Sequence, residues 1–409
     1  MFAKPFYSSF LFFLLVGSAA CRMQTAVSPP TATPIPISIA ESAAPVNAAS
    51  TGCENPIPAN PLFGLSAWPQ TNFCLHSVSY DEIRSGGVRK DRIAAINEPK
   101  FETVAEVNVW LADVEPVLVY RDGNDARAYP LQVLVWHEIV NDVVNGRPVV
   151  ITYCPLCSAG LVFERVVAGD VLDFGTTGNL HHSDLIMYDR QTESWWQQFT
   201  GESIVGTMTG TQLTMLPSQI VSWGDFKTQF ANGRILSPDT GYELYYGETP
   251  YINFESLTYD RVKFFDSELD DRLHPKRRVR GVRIGDTAIA YPYDLLAEVG
   301  VINDTVDGKP IVVFWQSGTT SALYSKVIAE SRDVGASAIF DRQLNGQLLT
   351  FASAPDGFQD NETGSVWNLF GTAVSGPLVG EQLTAVPSHE FFWFAWAAFQ
   401  PETQIYGQP

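Results

Sequence analysis

Two cysteines in Cys-x-x-Cys spacing, Cys154 and Cys157, end the stretch "WHEIVNDVVNGRPVVITYCPLC" (136–157), and His137 stands near its start. The chain has only five cysteines and six histidines, so this stretch concentrates its soft and borderline donors. Thiolates with an imidazole suit Cu or Zn. A thiol pair can also cycle between dithiol and disulfide. In the first case Cys154, Cys157 and His137 hold one equivalent of Cu(I) or Zn(II). In the second the cysteines exchange electrons and His137 is the proton partner. Thioredoxin-like exchange wants its first Cys at a helix N-terminus, where the dipole lowers the thiol pKa. Here "SAGLVFERVVAGDVLDF" follows, which reads as a hairpin, so no helix is expected. The bland reading is a tight disulfide, although so short a loop contributes little stability.

Further ligands stand downstream: Met187, Met208, His181 and His182. Adjacent histidines on a strand point to opposite faces, so at most one of His181 and His182 is expected to turn inward. "MYDRQTESWWQQ" crowds together Tyr188, Asp189, Arg190, Trp195 and Trp196. These residues are either core packing with an Asp–Arg pair, or the walls of an aromatic ligand cleft. In the cleft reading the protein is a non-enzymatic binding module and Cys154–Cys157 an inert staple. Phosphate-loop, Ser-His-Asp and zincin signatures are absent from the sequence.

The elements that must position these residues appear twice. "ARAYPLQVLVWHEIVNDVVNGRPVVITYCPLCSAGLV" from Ala126 aligns without a gap on "AIAYPYDLLAEVGVINDTVDGKPIVVFWQSGTTSALY" from Ala288, at an offset of 162. Each copy predicts a strand ending in Tyr-Pro, a helix carrying Leu131, Leu134 and Val135 (Leu295 and Leu296 in the second copy), and an Asn-Gly or Asp-Gly turn. A buried β-branched strand, a hairpin and a last helix capped near Ser222 or Ser388 complete it. The expected class is α+β with mainly antiparallel sheet, an internally duplicated unit packed as one pseudo-twofold body. The expected segments are a cap over 51–114, copy one over 115–235, a connector over 236–276 and copy two over 277–409. Asn141-Asp142 and Asn303-Asp304 occur in both copies, which suggests a capping or turn role. Gln316 and Thr319 stand opposite Cys154 and Cys157, and Val299 opposite His137. Chemistry is therefore expected in copy one.

The start of the chain reads as an address. Lys4 precedes the apolar run Phe10 to Ala20, a signal peptide over 1–20, and Ala20-Cys21 fits a lipoprotein cleavage site. Cys21 then becomes a lipid anchor, and the Pro/Ala/Ser/Thr-rich stretch 21–50 a tether. Ordinary secretion is the alternative. A net charge of −19 argues against nucleic acid, which needs clustered Lys and Arg, and the cluster Lys276-Arg277-Arg278 with Arg280 and Arg283 reads as a solvated connector. The expected protein is an exported monomer held to a membrane by its lipid, with any other partner open. Of the remaining cysteines, Cys53 and Cys74 are expected to form a structural disulfide, worth on the order of 3 kcal/mol in the chain-entropy picture.

"DEIRSGGVRKDRIAAINEPKF", "WHEIVND", "ITYCPLC", "SDLIMYDRQTESWW", "LSPDTGY" and "FFWFAWAAF" together resemble the family called domain of unknown function 3179, from Asp81 to Tyr406. The resemblance implies an exported, often lipid-anchored bacterial or archaeal protein and brings no activity with it. His137, Glu138, Asn141, Asp142, Cys154, Pro155 and Cys157 match its patterns, as do Asp184, Tyr188, Asp189 and Arg190. His181 and His182 depart from it.

Overall fold

The structure is a computed structural model that describes residues 53, 57–58, 61–107 and 109–408. The expected signal peptide, the lipid-bearing Cys21 and the tether lie outside the described residues. Cys53 and Cys74 are disulfide-bonded, with Cα atoms 5.2 Å apart.

The protein is a mixed α+β fold of mostly antiparallel sheets. Three of them frame the candidate site. One orders Ile83–Ser85, Phe174–His181, Asp184–Asp189, Trp195–Gln197 and Ser203–Val205. The second orders Met215–Leu216, Ala159–Glu164, Arg147–Cys154 and Ile139–Val144. The third places Pro116–Asp122 and Asp125–Pro130 between Gln219–Ser222 and Arg234–Leu236, the last running parallel to its neighbour. These strands form where the sequence puts β-branched runs between Asn-Gly, Asp-Gly and Ala-Gly turns. Val149, Val150 and Ile151 are fully buried, as a strand covered on both faces requires.

The pairing pattern recurs further along. Arg278–Ile284 and Thr287–Pro292 lie between Ser388–Phe392 and the parallel Gln404–Ile405. Four helices of seven residues, Leu131–His137, Trp223–Gln229, Tyr293–Val299 and Trp393–Phe399, each follow a strand of these sheets. Matching residues also make matching bonds. Asn141 exchanges two hydrogen bonds with the backbone of Phe174, at 2.8 and 2.9 Å, and Asn303 does the same with Phe351. Tyr129 donates to Asp142, and Tyr291 to Asp304. The Asn-Asp pair thus ties strands together, and neither residue acts as a turn or cap. Asp142 also receives Arg127 at 2.6 Å.

Two expectations change. Ser222 caps its helix as expected, accepting from the Asp225 amide at 3.0 Å, but the last helix has Phe392 at its N-cap position. Ser388 begins the preceding strand, and its Oγ accepts from Arg280 instead. The basic cluster is not solvated throughout, for Lys276, Arg278 and Arg280 are buried. Arg278 pairs with Glu255 of the connector and with Glu390, and Glu255 also receives Arg332. Ser158, directly after Cys157, donates to Glu390 at 2.8 Å. The connector therefore helps to lock the turn that carries the cysteines.

Candidate metal centre

Cys154 is the last residue of Arg147–Cys154, and Ala159 opposite it opens the return strand. Pro155 to Ser158 make the hairpin loop, which closes through Cys157 N–H to Cys154 O at 3.2 Å, with Ser158 at φ +54°. The loop is a strand connection, as the sequence led us to expect, and neither cysteine lies in a helix. Both thiols are free, and both are buried. The pair stands at a strand end and is covered there.

The first sheet packs over this hairpin. Gln198 donates to Thr152 Oγ1 at 2.8 Å and to Ala159 O at 3.2 Å, which fixes one sheet on the other. The hairpin between Phe174–His181 and Asp184–Asp189 turns through His182 (φ +50°) and Ser183 (φ +65°). Two-residue turns with both φ positive favour Asn-Gly, so this His-Ser pair is held against its preference. The Ser183 carbonyl accepts from Cys157 Sγ at 3.6 Å and lies 4.0 Å from Cys154 Sγ. Asp184 follows. A carboxylate oxygen of Asp184 and the Cys154 and Cys157 sulfurs all lie within 4.8 Å of one another. Asp184 Oδ2 accepts from Gln197 Nε2 at 2.5 Å and from the Phe199 amide at 2.9 Å. Oδ1 is buried with no hydrogen bond of ordinary geometry.

Glu138 is a second carboxyl nearby, close enough for Asp184 to affect it. It ends the helix Leu131–His137 at φ +59°, its amide on Leu134 O and its carbonyl receiving the Tyr153 amide, both at 2.8 Å. The corresponding position after Tyr293–Val299 is Gly300, at φ +71° with the same two bonds, to Leu296 and from Trp315. Glycine suits a left-handed helix end; a side chain there costs about 1 kcal/mol. The chain accepts that cost to place a buried carboxyl. Glu138 lines a cavity of about 320 Å³ walled by Leu156, Leu185, Tyr251 and Phe254, with Lys263 on the same wall.

Burial sets the electrostatics. It pushes the Cys154 and Cys157 thiols up, Cys157 well up, and the neighbouring Asp184 adds to both shifts. Burial raises Asp184 to about 7, against the pull of the Phe199 amide and the thiols. It raises Glu138 to about 8, with Asp184 adding to the shift. Such thiols are protonated at neutral pH and are poor nucleophiles. A cation among them reverses that preference, because metal binding displaces protons from its ligands.

His137 is not part of this cluster. Its Nδ1 bonds Ala94 O and its Nε2 bonds Tyr246 Oη, both at 2.6 Å. The carbonyl can only accept, so Nδ1 carries the proton and Nε2 accepts from the tyrosine. Burial lowers its pKa, consistent with a neutral ring. The third donor beside the two sulfurs is Asp184, from a different sheet. The aromatic cleft is likewise core. Trp195 and Trp196 are fully buried, and Trp195 packs edge-on against Phe63, Trp68 and Phe73. Asp189 receives the Thr192 amide and hydroxyl and Trp196 Nε1, and Asp360 holds Thr363 and Trp367 in the same way. Tyr188 and Arg190 both engage Asp91. Met187 lies in the core, and Met208 packs against it.

The fold and this centre define an α+β protein with a buried cluster of two cysteines and an aspartate capable of metal or redox chemistry. The chain belongs to the family described as "Protein of unknown function (DUF3179)", which matches residues 90–403. No curated protein and no solved structure matches it.

Proposed function

We propose that this is a metal-binding protein in which Cys154, Cys157 and Asp184 hold one thiophilic cation, with Glu138 as the neighbouring acid. The observation that carries the reading is the buried Asp184 oxygen that has no hydrogen bond of ordinary geometry, beside two free thiols. Two thiolates with a carboxylate suit Zn(II), a borderline ion, better than Cu(I), which prefers sulfur throughout. Three protein ligands leave a coordination position open, and the cavity at Glu138 offers a small molecule an approach to it. Thiol exchange fits less well, since burial raises both thiol pKa values where an exchanging pair needs one lowered. The test is the number of sulfur ligands around metal taken up by the reduced protein. Two are expected; none contradicts the reading.

In the same proposal the body is an internal duplication, copy one bearing the centre and copy two supplying shape. The recurrent pairing order and the paired Asn, Tyr and Asp bonds support it. The Cys53–Cys74 disulfide supports an oxidising, extracytoplasmic location, with the chain monomeric, anchored through lipid on Cys21 and not engaged with nucleic acid. Cys21→Ala is expected to move the protein from the membrane to the soluble fraction. Retention on the membrane would remove the anchor from the account.

A further inference from the structure

A second set of donors lies on the other side of Gln197. His181 ends its strand and His182 begins the turn, so the backbone rotates between them and strand alternation no longer separates their rings. The ring centroids are 4.1 Å apart, and donor atoms of Glu82, His181 and His182 all lie within 4.8 Å of one another. As expected only His181 is buried, while His182 stays half-exposed, yet the two rings lie side by side.

The protons at this place follow from the hydrogen bonds. Gln197 Nε2 donates to Asp184, so its Oε1 is the atom that faces His181 Nδ1 at 2.7 Å. An amide oxygen only accepts, and Nδ1 must therefore carry the hydrogen. In the neutral ring this leaves Nε2 as a lone pair. That atom is buried, makes no hydrogen bond, and lies 3.5 Å from the Glu82 carboxylate. A lone pair and a carboxylate oxygen at that distance repel unless a proton or a metal cation stands between them. An imidazole that donates its other N–H to a fixed acceptor is also how proteins orient a metal-binding histidine. His182 lies on a cavity of about 610 Å³ that Glu268, Asp270, Asp271 and Arg272 also line, an approach from solvent that is acidic on balance.

We infer that Glu82, His181 and His182 form a second metal site, specific for a borderline divalent cation of the Zn(II), Co(II) or Ni(II) class. It uses none of the Cys154, Cys157 and Asp184 donors, and Gln197 bridges the two sites. Two imidazoles and one carboxylate are a nitrogen–oxygen set that such ions accept, and the half-exposed His182 leaves them a way in.

Co(II) titration of the reduced wild-type protein tests this, with sulfur-to-cobalt absorption reporting the cysteine site and total bound metal reporting both. Two equivalents are expected. Glu82→Gln, at an exposed position, and His182→Ala should each cut the total to one and leave the sulfur band unchanged. Cys154→Ser/Cys157→Ser should lose the band and keep one equivalent. Failure of the cysteine site alone would show as an absent band with one equivalent still sensitive to Glu82→Gln. If Glu82→Gln and His182→Ala both bind as much cobalt as the wild type, or if the only bound metal is the sulfur-bound equivalent, the second site does not exist.

Discussion

Replacing Cys154 and Cys157 together by serine is expected to remove the sulfur-bound metal equivalent and the stabilisation it confers. A ligand that binds only the folded state at a thousandfold excess over its dissociation constant adds about 4 kcal/mol. Wild-type protein should therefore melt well above its chelator-treated form once zinc is restored, and the double variant should lose that share of the gain. Without metal the two proteins should differ less, since a serine hydroxyl in place of a buried thiol costs on the order of 1–3 kcal/mol. Melts of both proteins, with chelator and with zinc, separate the two contributions. A wild-type melt indifferent to zinc would leave the cysteines a packing role only.

Glu138→Gly should make the metal-free protein more stable and its metal binding weaker. Glycine relieves the left-handed strain at φ +59°, worth about 1 kcal/mol, as Gly300 does after the later helix. The larger part depends on pH. Burial raises Glu138 to about 8 from the ordinary carboxyl value of 4.5. The folded state thus retains a proton that the unfolded state releases. Stability from this group is fully present below about pH 4.5 and is lost as pH rises through 8. The advantage of the glycine variant should therefore grow from about 1 kcal/mol in acid to roughly 5 kcal/mol near pH 8. Denaturant titrations in chelator at pH 5 and pH 8 measure it. An equal gap at both values would show that Glu138 is not a buried acid of this kind.

Much of the frame is legible in the residues. Alternating and β-branched runs bounded by Asn-Gly and Asp-Gly identify the strands, and "CPLC" after "VVITY" identifies the hairpin loop, because these signals are local. The partner of that loop is not local. Asp184 reaches the sulfurs only when one sheet packs on another through Gln198, and no periodicity encodes that. His137 is misread for a related reason. At the end of a helix its ring takes the direction of its packing partners, and Tyr246 lies in a connector without regular pattern. The nearness of the His181 and His182 rings is not legible because alternation holds only while a strand continues, and this one stops at His181. Ser388 resembles a cap in sequence, but the chain stays extended to Phe392 and spends that hydroxyl on Arg280. Glu138 left a usable signal: the aligned later stretch carries Gly300 at the same place, and a charged residue where its counterpart is glycine marks a conformation held at a cost.

The most direct test is X-ray absorption at the edge of zinc bound to reduced protein carrying Glu82→Gln, which leaves only the cysteine centre to fill. The account predicts two sulfur neighbours at about 2.3 Å with oxygen at roughly 2.0–2.2 Å completing the shell. A shell of nitrogen and oxygen alone, or a reduced protein that takes up no zinc, would contradict it.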